Sequence, residues 1–201
     1  QNLNKYIILE GRQHESYSYQ DLLVSMERSH HRNNWNQAHQ VLHQEDSFML
    51  NLRQYVDFLN LLKSGNAFDG NGSSIDPQKL EAILNDILEV RSPYRAEWLD
   101  ADFKVNPTNK SLIINYDHRT VYGQLQAQHS EILTDYLAKK RTPGIDLDEW
   151  LTRATIHGLP PSKIKKGNLY YWAPMKDNNS VAGFYAFSGG AYLYCGRDPA
   201  D

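Results

Sequence analysis

A chain of 201 residues with a formal net charge of −3 and 40% hydrophobic residues is long enough to bury a core of its own, as one or two domains. No basic block is long enough for a nucleic-acid footprint, and the densest run, Lys163-Ile164-Lys165-Lys166, reads as a solvated loop. One cysteine excludes an internal disulfide and a cysteine-based zinc site, and no apolar run is long enough to span a membrane or mark a signal peptide.

Tyr6-Ile7-Ile8-Leu9 reads as a short strand followed by a polar loop from Gly11. Ser18 with Asp21 three residues on resembles a capping box, which predicts a helix through about Arg28. Asn34 caps a second predicted helix, Trp35 to His43. Leu52, Tyr55, Val56, Leu59 and Leu62 recur at helical spacing, with Gly65 placed to end that helix. Asp76-Pro77 opens a fourth, carrying Leu80, Ile83, Leu84, Ile87 and Leu88. Residues 1–94 therefore form a mainly helical N-terminal region.

Two patterns there suggest metals and are set aside. Asp69, Asn71 and Ser73 alternate as in a calcium loop, but Ser74 stands where glycine is needed and Leu80 where a bidentate glutamate is needed. His39 and His43 share a helix face without the intervening carboxylate of zinc proteases or an evident third ligand, which favours a surface or capping role. No metal or cofactor is assigned.

Pro93 breaks the helical pattern, and the period changes from 3.6 to 2. Trp98 to Val105 and Leu112 to Tyr116 read as strands joined by Asn106-Pro107-Thr108-Asn109-Lys110. Helices are expected around Ile132, Leu133, Tyr136 and Leu137, and again from Asp146 through Trp150 and Leu151 to a stop at Gly158. Leu169-Tyr170-Tyr171-Trp172 is a strand leading into the last stretch.

That stretch, Ser180 to Asp201, holds two alternating runs around Gly189-Gly190, the signature of a hairpin. Folding about the glycines pairs Ser188 with Ala191, Phe187 with Tyr192, Ala186 with Leu193, Tyr185 with Tyr194 and Phe184 with Cys195. One parity, Phe184, Ala186, Leu193 and Cys195, is compact and apolar and suits a core; Cys195 on it reads as a small core residue rather than a nucleophile. The other carries Tyr185, Phe187, Tyr192 and Tyr194. The residues alone allow that face to be buried as a stabilised hairpin or exposed as a recognition surface, since tyrosine between glycines and small polar residues also composes antibody-like paratopes.

Leu169-Tyr170-Tyr171-Trp172 followed by Ser180-Val181-Ala182-x-Phe184-x-Ala186-x-Ser188-x-x-Ala191-x-Leu193-x-Cys195 resembles the variable region of diversity-generating retroelement target proteins of the archaeal and small-genome bacterial type. The order of strand, two helices, then strands over residues 97–201 is similar to that family's C-type lectin fold. The resemblance implies an α+β protein with a C-type lectin-like (formylglycine-generating-enzyme-like) domain over 95–201 and a variable region over 180–201. It implies a non-enzymatic ligand-binding display protein whose macromolecular partner is a protein, displayed on a virion or cell surface, with no cofactor. The implied ligand-binding, template-variable positions are Gly183, Tyr185, Phe187, Gly189, Gly190, Tyr192, Tyr194, Gly196, Arg197, Asp198 and Ala200. In such families an error-prone reverse transcriptase rewrites adenines, and an AAC codon so altered never yields Lys, Glu, Gln, Met or Trp. None of the five occurs between Gly183 and Asp201, although all recur earlier in the chain.

Two departures accompany the resemblance. The Leu-Gly-Val-Arg-like closing segment usual in the family has no counterpart, so the hairpin is expected to want a neighbour strand. The Glu-Pro-Asn and Trp-Asn-Asp motifs of sugar-binding lectins are absent, so the fold does not imply lectin activity. Two other functions stand beside display. One is an enzyme on the formylglycine-generating type of fold, which needs a cysteine pair where only Cys195 exists. The other is a structural subunit whose aromatic face forms an oligomer contact.

Overall fold

Residues 2–187 and 189–201 are described in the computed structural model. The chain begins with β1 (Tyr6–Leu9), a small hairpin of β2 (Arg12–His14) and β3 (Tyr17–Tyr19), and β4 (Leu22–Ser25), which returns antiparallel to β1. The helix expected from Ser18 does not form. Ser18 pairs with Gln13 across β2 and β3, and the Asp21 carboxylate accepts the Gly11 N–H at 2.7 Å instead of closing a helical turn. Leu22 and Val24 are half-buried while Leu23 and Ser25 face solvent, the two-residue period of a strand.

Three helices follow, each started by the side chain its sequence offers: α1 (Trp35–Gln44), α2 (Leu52–Ser64) and α3 (Pro77–Leu88). Asn34 and Gln37 form a reciprocal capping box on α1, Asn51 and Gln54 form another on α2, and the Asp76 carboxylate accepts the Gln78 N–H at 2.8 Å. Gly65, at φ 67°, ends α2 in the left-handed conformation. Asp69 Oδ1 accepts the N–H groups of Asn71 and Ser73, which fixes the connecting turn.

α2 is buried nearly all round, because strands, helices and loops enclose it. Arg53 donates through its terminal nitrogens to Asp57 at 3.0 Å and to the carbonyls of Ala154 and Thr155. Asp57 also meets His14 at 2.7 Å and accepts from the Tyr19 hydroxyl at 2.5 Å.

His39 does not take the surface or capping role expected of it, while His43 stays half-buried in the last turn of α1. α1 lays this face on the sheet, so His39 is 1% exposed beneath Trp35, and His43 Nδ1 stands 2.7 Å from Thr120 Oγ1. Burial, with His118 and His43 nearby, pushes the His39 pKa down to about 3, so its ring is neutral.

The second half is built on one seven-stranded sheet, with β5 (Arg95–Val105), β6 (Leu112–Val121), β7 (Gln124–Ile132), β8 (Arg141–Ile145), β9 (Leu169–Trp172), β10 (Ser180–Phe187) and β11 (Gly190–Arg197). Their spatial order is β7-β6-β5-β10-β11-β9-β8, antiparallel except for β11 with β9. The helix expected around Ile132 to Leu137 is absent. β7 runs through Ile132, and the backbone N–H groups of Leu133 and Leu137 go to the carbonyls of Leu112 and Pro160 rather than into a helical turn. Among the described residues, 97–201 therefore hold one helix, α4 (Leu147–Arg153), where the expected order had two. It stops before Gly158. That glycine, at φ 85°, lies against the backbone of α2, where a Cβ would sit 2.4 Å from the Leu52 carbonyl carbon.

The architecture is α+β, and apolar residues of both halves share a main cluster that includes Ile7, Leu9, Leu52, Leu59, Leu99, Trp150, Phe184 and Leu193, while Trp35, Ala38, Met49 and Val181 form a second, smaller one under α1. Burying a side chain such as Phe184 stabilises by about 1.5–3 kcal/mol, so the hairpin is fastened to the core the helices share.

Candidate functional site

β10 and β11 form the expected hairpin, with a different register. Phe187 pairs with Gly190, Ala186 with Ala191, Tyr185 with Tyr192, Phe184 with Leu193 and Gly183 with Tyr194. The expected Ser188–Ala191 pair falls on a residue outside the described ones. Each remaining residue meets a partner two positions earlier than expected, because the chain reverses one residue sooner. A slip of one would exchange the faces of a strand; a shift of two keeps them. Phe184, Ala186, Leu193 and Cys195 are accordingly all buried, at 1% exposure or less.

The expected want of a neighbour strand is also corrected. β10 is flanked by β5, with Trp98 opposite Gly183 and Ala96 opposite Tyr185. β11 is flanked by β9, with Tyr170 opposite Tyr192 and Trp172 opposite Tyr194. The hairpin occupies the middle of the sheet.

These pairings gather the outward parity into one aromatic surface. Tyr185 stacks on Tyr192 at 5.0 Å and contacts Tyr194 at 5.9 Å, and Tyr192 packs on Tyr170 at 4.7 Å. Trp172 and Tyr194 stack in nearly parallel planes. Tyr94, from the loop before β5, closes over Tyr185 and Phe187 at 5.6 and 5.5 Å. Tyr94 and Phe187 remain 50% and 39% exposed, so the surface is open to a partner.

Cations bracket the surface. The Arg197 guanidinium lies 4.2 Å over the Trp98 ring and 5.5 Å from that of Tyr185, while Lys140 Nζ sits 4.8 Å over Trp172. Burial and the neighbouring phenols push the Tyr185 pKa up to about 12, against the opposing pull of Arg197. At neutral pH its hydroxyl is therefore a hydrogen-bond donor as well as an acceptor. Trp172 Nε1 is buried without an acceptor among the described residues.

A cleft of about 680 Å³ opens on this surface, lined by Tyr94, Tyr185, Phe187, Tyr194, Gly196, Arg197 and Asp198. A wider groove of about 1130 Å³ adjoins it at Tyr94 and Arg197 and is also lined by Arg28, His30, His31 and Arg32.

The sequence-expected positions thus fall into three groups. Tyr185, Phe187, Tyr192, Tyr194 and Arg197 compose the surface, and exposed Asp198 and Ala200 lie at its rim. Gly183 is buried beneath Trp98 and Arg197, where a Cβ would stand 3.6 and 3.5 Å from them, and acts as the floor on which these side chains rest. Gly189, at φ 126°, has a backbone that L side chains rarely adopt. Cβ atoms at Gly190 and Gly196 would stand 3.1 Å from the Tyr170 ring and from the Ala173 carbonyl.

Sequence reasoning missed Tyr94, Trp98, Lys140, Tyr170 and Trp172 as parts of the site. For Tyr170 and Trp172 the signal was present: in a strand with Leu169 and Tyr171 inward, these two must face outward together.

In comparisons with known proteins, the chain matches no family model, no curated protein and no solved structure. Among the described residues, no helix is long and apolar enough to cross a membrane.

Proposed function

We propose that the chain is a ligand-binding display protein whose aromatic surface, centred on β10 and β11, takes a protein partner and is diversified by a retroelement. The observation that carries the reading is the division of the hairpin by parity. Phe184, Ala186, Leu193 and Cys195 are sealed in the core, while Tyr185, Phe187, Tyr192 and Tyr194 share an open face. Rigid aromatics of this kind supply contact area at low entropic cost. On this reading residues 95–201 are a C-type lectin-like domain on a virion or cell surface.

Burial of Cys195, which pushes its thiol pKa well up, supports binding rather than thiol catalysis. The test is genetic: a reverse-transcriptase gene nearby, with a near-copy of codons 180–201 differing from the gene only at adenines. A repeat that differs at other bases, or none at all, would remove the retroelement from the proposal.

A further inference from the structure

Away from the aromatic surface, α1 meets β5 and β6 over a group of buried side chains that the binding reading does not use. His39 reaches down from α1, Asp100 stands on β5 and His118 on β6, and one ligand-type atom from each lies within 4.8 Å of the others. All three are buried, His39 to 1% exposure. Both ring nitrogens of His39 lack a hydrogen-bond partner among the described residues, whereas buried polar atoms are nearly always paired.

We propose that His39, Asp100 and His118 form a closed site for one divalent cation of the zinc class, which staples α1 to the sheet.

The surrounding hydrogen bonds orient the three ligand atoms toward one another. Asp100 Oδ2 accepts the His118 backbone N–H at 2.9 Å, so Oδ1 is the oxygen that faces the two rings. His118 Nε2 lies 3.1 Å from Asp102 Oδ2, and Asp102 Oδ1 accepts from Asn115 Nδ2 at 2.7 Å. An N–H on Nε2 held by that carboxylate leaves Nδ1 as the ligand, the outer-shell arrangement that orients metal-bound histidines. Two ligands each about 2.0–2.1 Å from zinc stand about 3.3–3.4 Å apart at the tetrahedral angle. His39 Nε2 is 3.5 Å from Asp100 Oδ1.

The edge between His118 and Asp100 must open. His118 Nδ1 and Asp100 Oδ1 are in direct hydrogen-bond contact, with a proton between them. A cation entering there takes the lone pairs of both atoms and releases that proton to solvent, and its two charges balance Asp100 and Asp102. Trp35 packs edge-on against both His39 and His118, at 4.3 and 5.2 Å, which shields the site from solvent. His43, one turn along α1, has a buried and unpartnered Nε2 and is the candidate for the fourth position. This inference does not depend on the display reading.

The test uses the full chain, stripped with a chelator and reconstituted with Zn2+ or Co2+. The expected result is one metal per chain after desalting, a tetrahedral Co2+ absorption spectrum, and a melting temperature that the chelator lowers and Zn2+ restores. His39→Phe, which fills the same space without a ligand, should weaken binding by more than about 100-fold, the upper end of what losing an outer-shell partner costs. His31→Gln, at an exposed histidine, should bind as the parent does. Failure of the parent to retain metal, or equal retention by His39→Phe, would overturn the site. If the variant does not fold, the parent's stoichiometry and Co2+ spectrum decide alone.

Discussion

The Trp172 and Tyr194 rings stack 5.0 Å apart with 4° between their planes, and they do so because β9 runs parallel to β11 with these two residues opposite. Residues far apart in sequence thus set one end of the aromatic surface, and the stacking couples the hairpin to a strand outside it. Tyr194→Ala should cost about 0.5–1.5 kcal/mol through the lost stacking. Leu193→Ala, one position away on the buried parity, should cost about 2–5 kcal/mol. Urea unfolding midpoints compare the two, and equal losses would contradict the division of the hairpin by parity.

Gly189 holds φ 126°. Alanine there should cost about 1–3 kcal/mol in backbone strain while leaving the aromatic surface in place. Equilibrium unfolding measures this, and an unchanged midpoint would show that the turn relaxes. If natural copies of the gene vary under the proposed retroelement, position 189 should keep glycine far more often than position 185 keeps tyrosine.

Asp57 joins Arg53, His14 and Tyr19 in the interior. Asp57→Ala removes the counter-charge and leaves the Arg53 guanidinium buried, which should cost about 3–5 kcal/mol. Replacing both by apolar residues, Arg53→Met with Asp57→Leu, should recover most of that loss. A double-mutant cycle in denaturant decides, and simple additivity of the two single changes would count against the coupling.

Alkaline stability follows from the tyrosines. Burial raises the pKa of Tyr185 to about 12, and it raises Tyr17, Tyr19, Tyr55, Tyr116 and Tyr171 as well. A phenol whose folded pKa lies above its unfolded value near 10 contributes its full stability below pH 10. Above pH 10 the unfolded chain ionises first, so stability should fall as pH rises from 10 towards 12. Tyrosinate absorbance followed beside circular dichroism should show cooperative ionisation accompanying unfolding; gradual ionisation with the fold intact would argue otherwise.

The local signals were legible where one or two side chains decide the backbone. Asn34, Asp76-Pro77 and Gly65 start or stop helices where expected, since caps act within a few residues of themselves. Ser18 with Asp21 failed for the same locality: the pattern fits a cap, yet the backbone was claimed by Gln13 from outside the window. Leu133, Tyr136 and Leu137 imitated a helix face because a short irregular segment can bury residues at the same spacing.

The outward parity of β10 and β11 was readable from alternation. The rest of the surface was not, because Tyr94, Trp98 and Trp172 join it through sheet order, a non-local property. The buried triad escaped for the related reason that Asp100 and His118 reach His39 only after β5 and β6 pair.

Among the described residues, β10 and β11 lie between β5 and β9, so the outer edges of the sheet belong to β7 and β8 rather than to the hairpin. Substitutions at Tyr185, Phe187, Tyr192 or Tyr194 therefore alter what the surface presents without offering a foreign strand a place to add. Under the proposed diversification, successive variants would be reshaped on this face while keeping the same ladder of hydrogen bonds, and the unsuccessful ones would fail through poor fit to a partner rather than through clumping with one another.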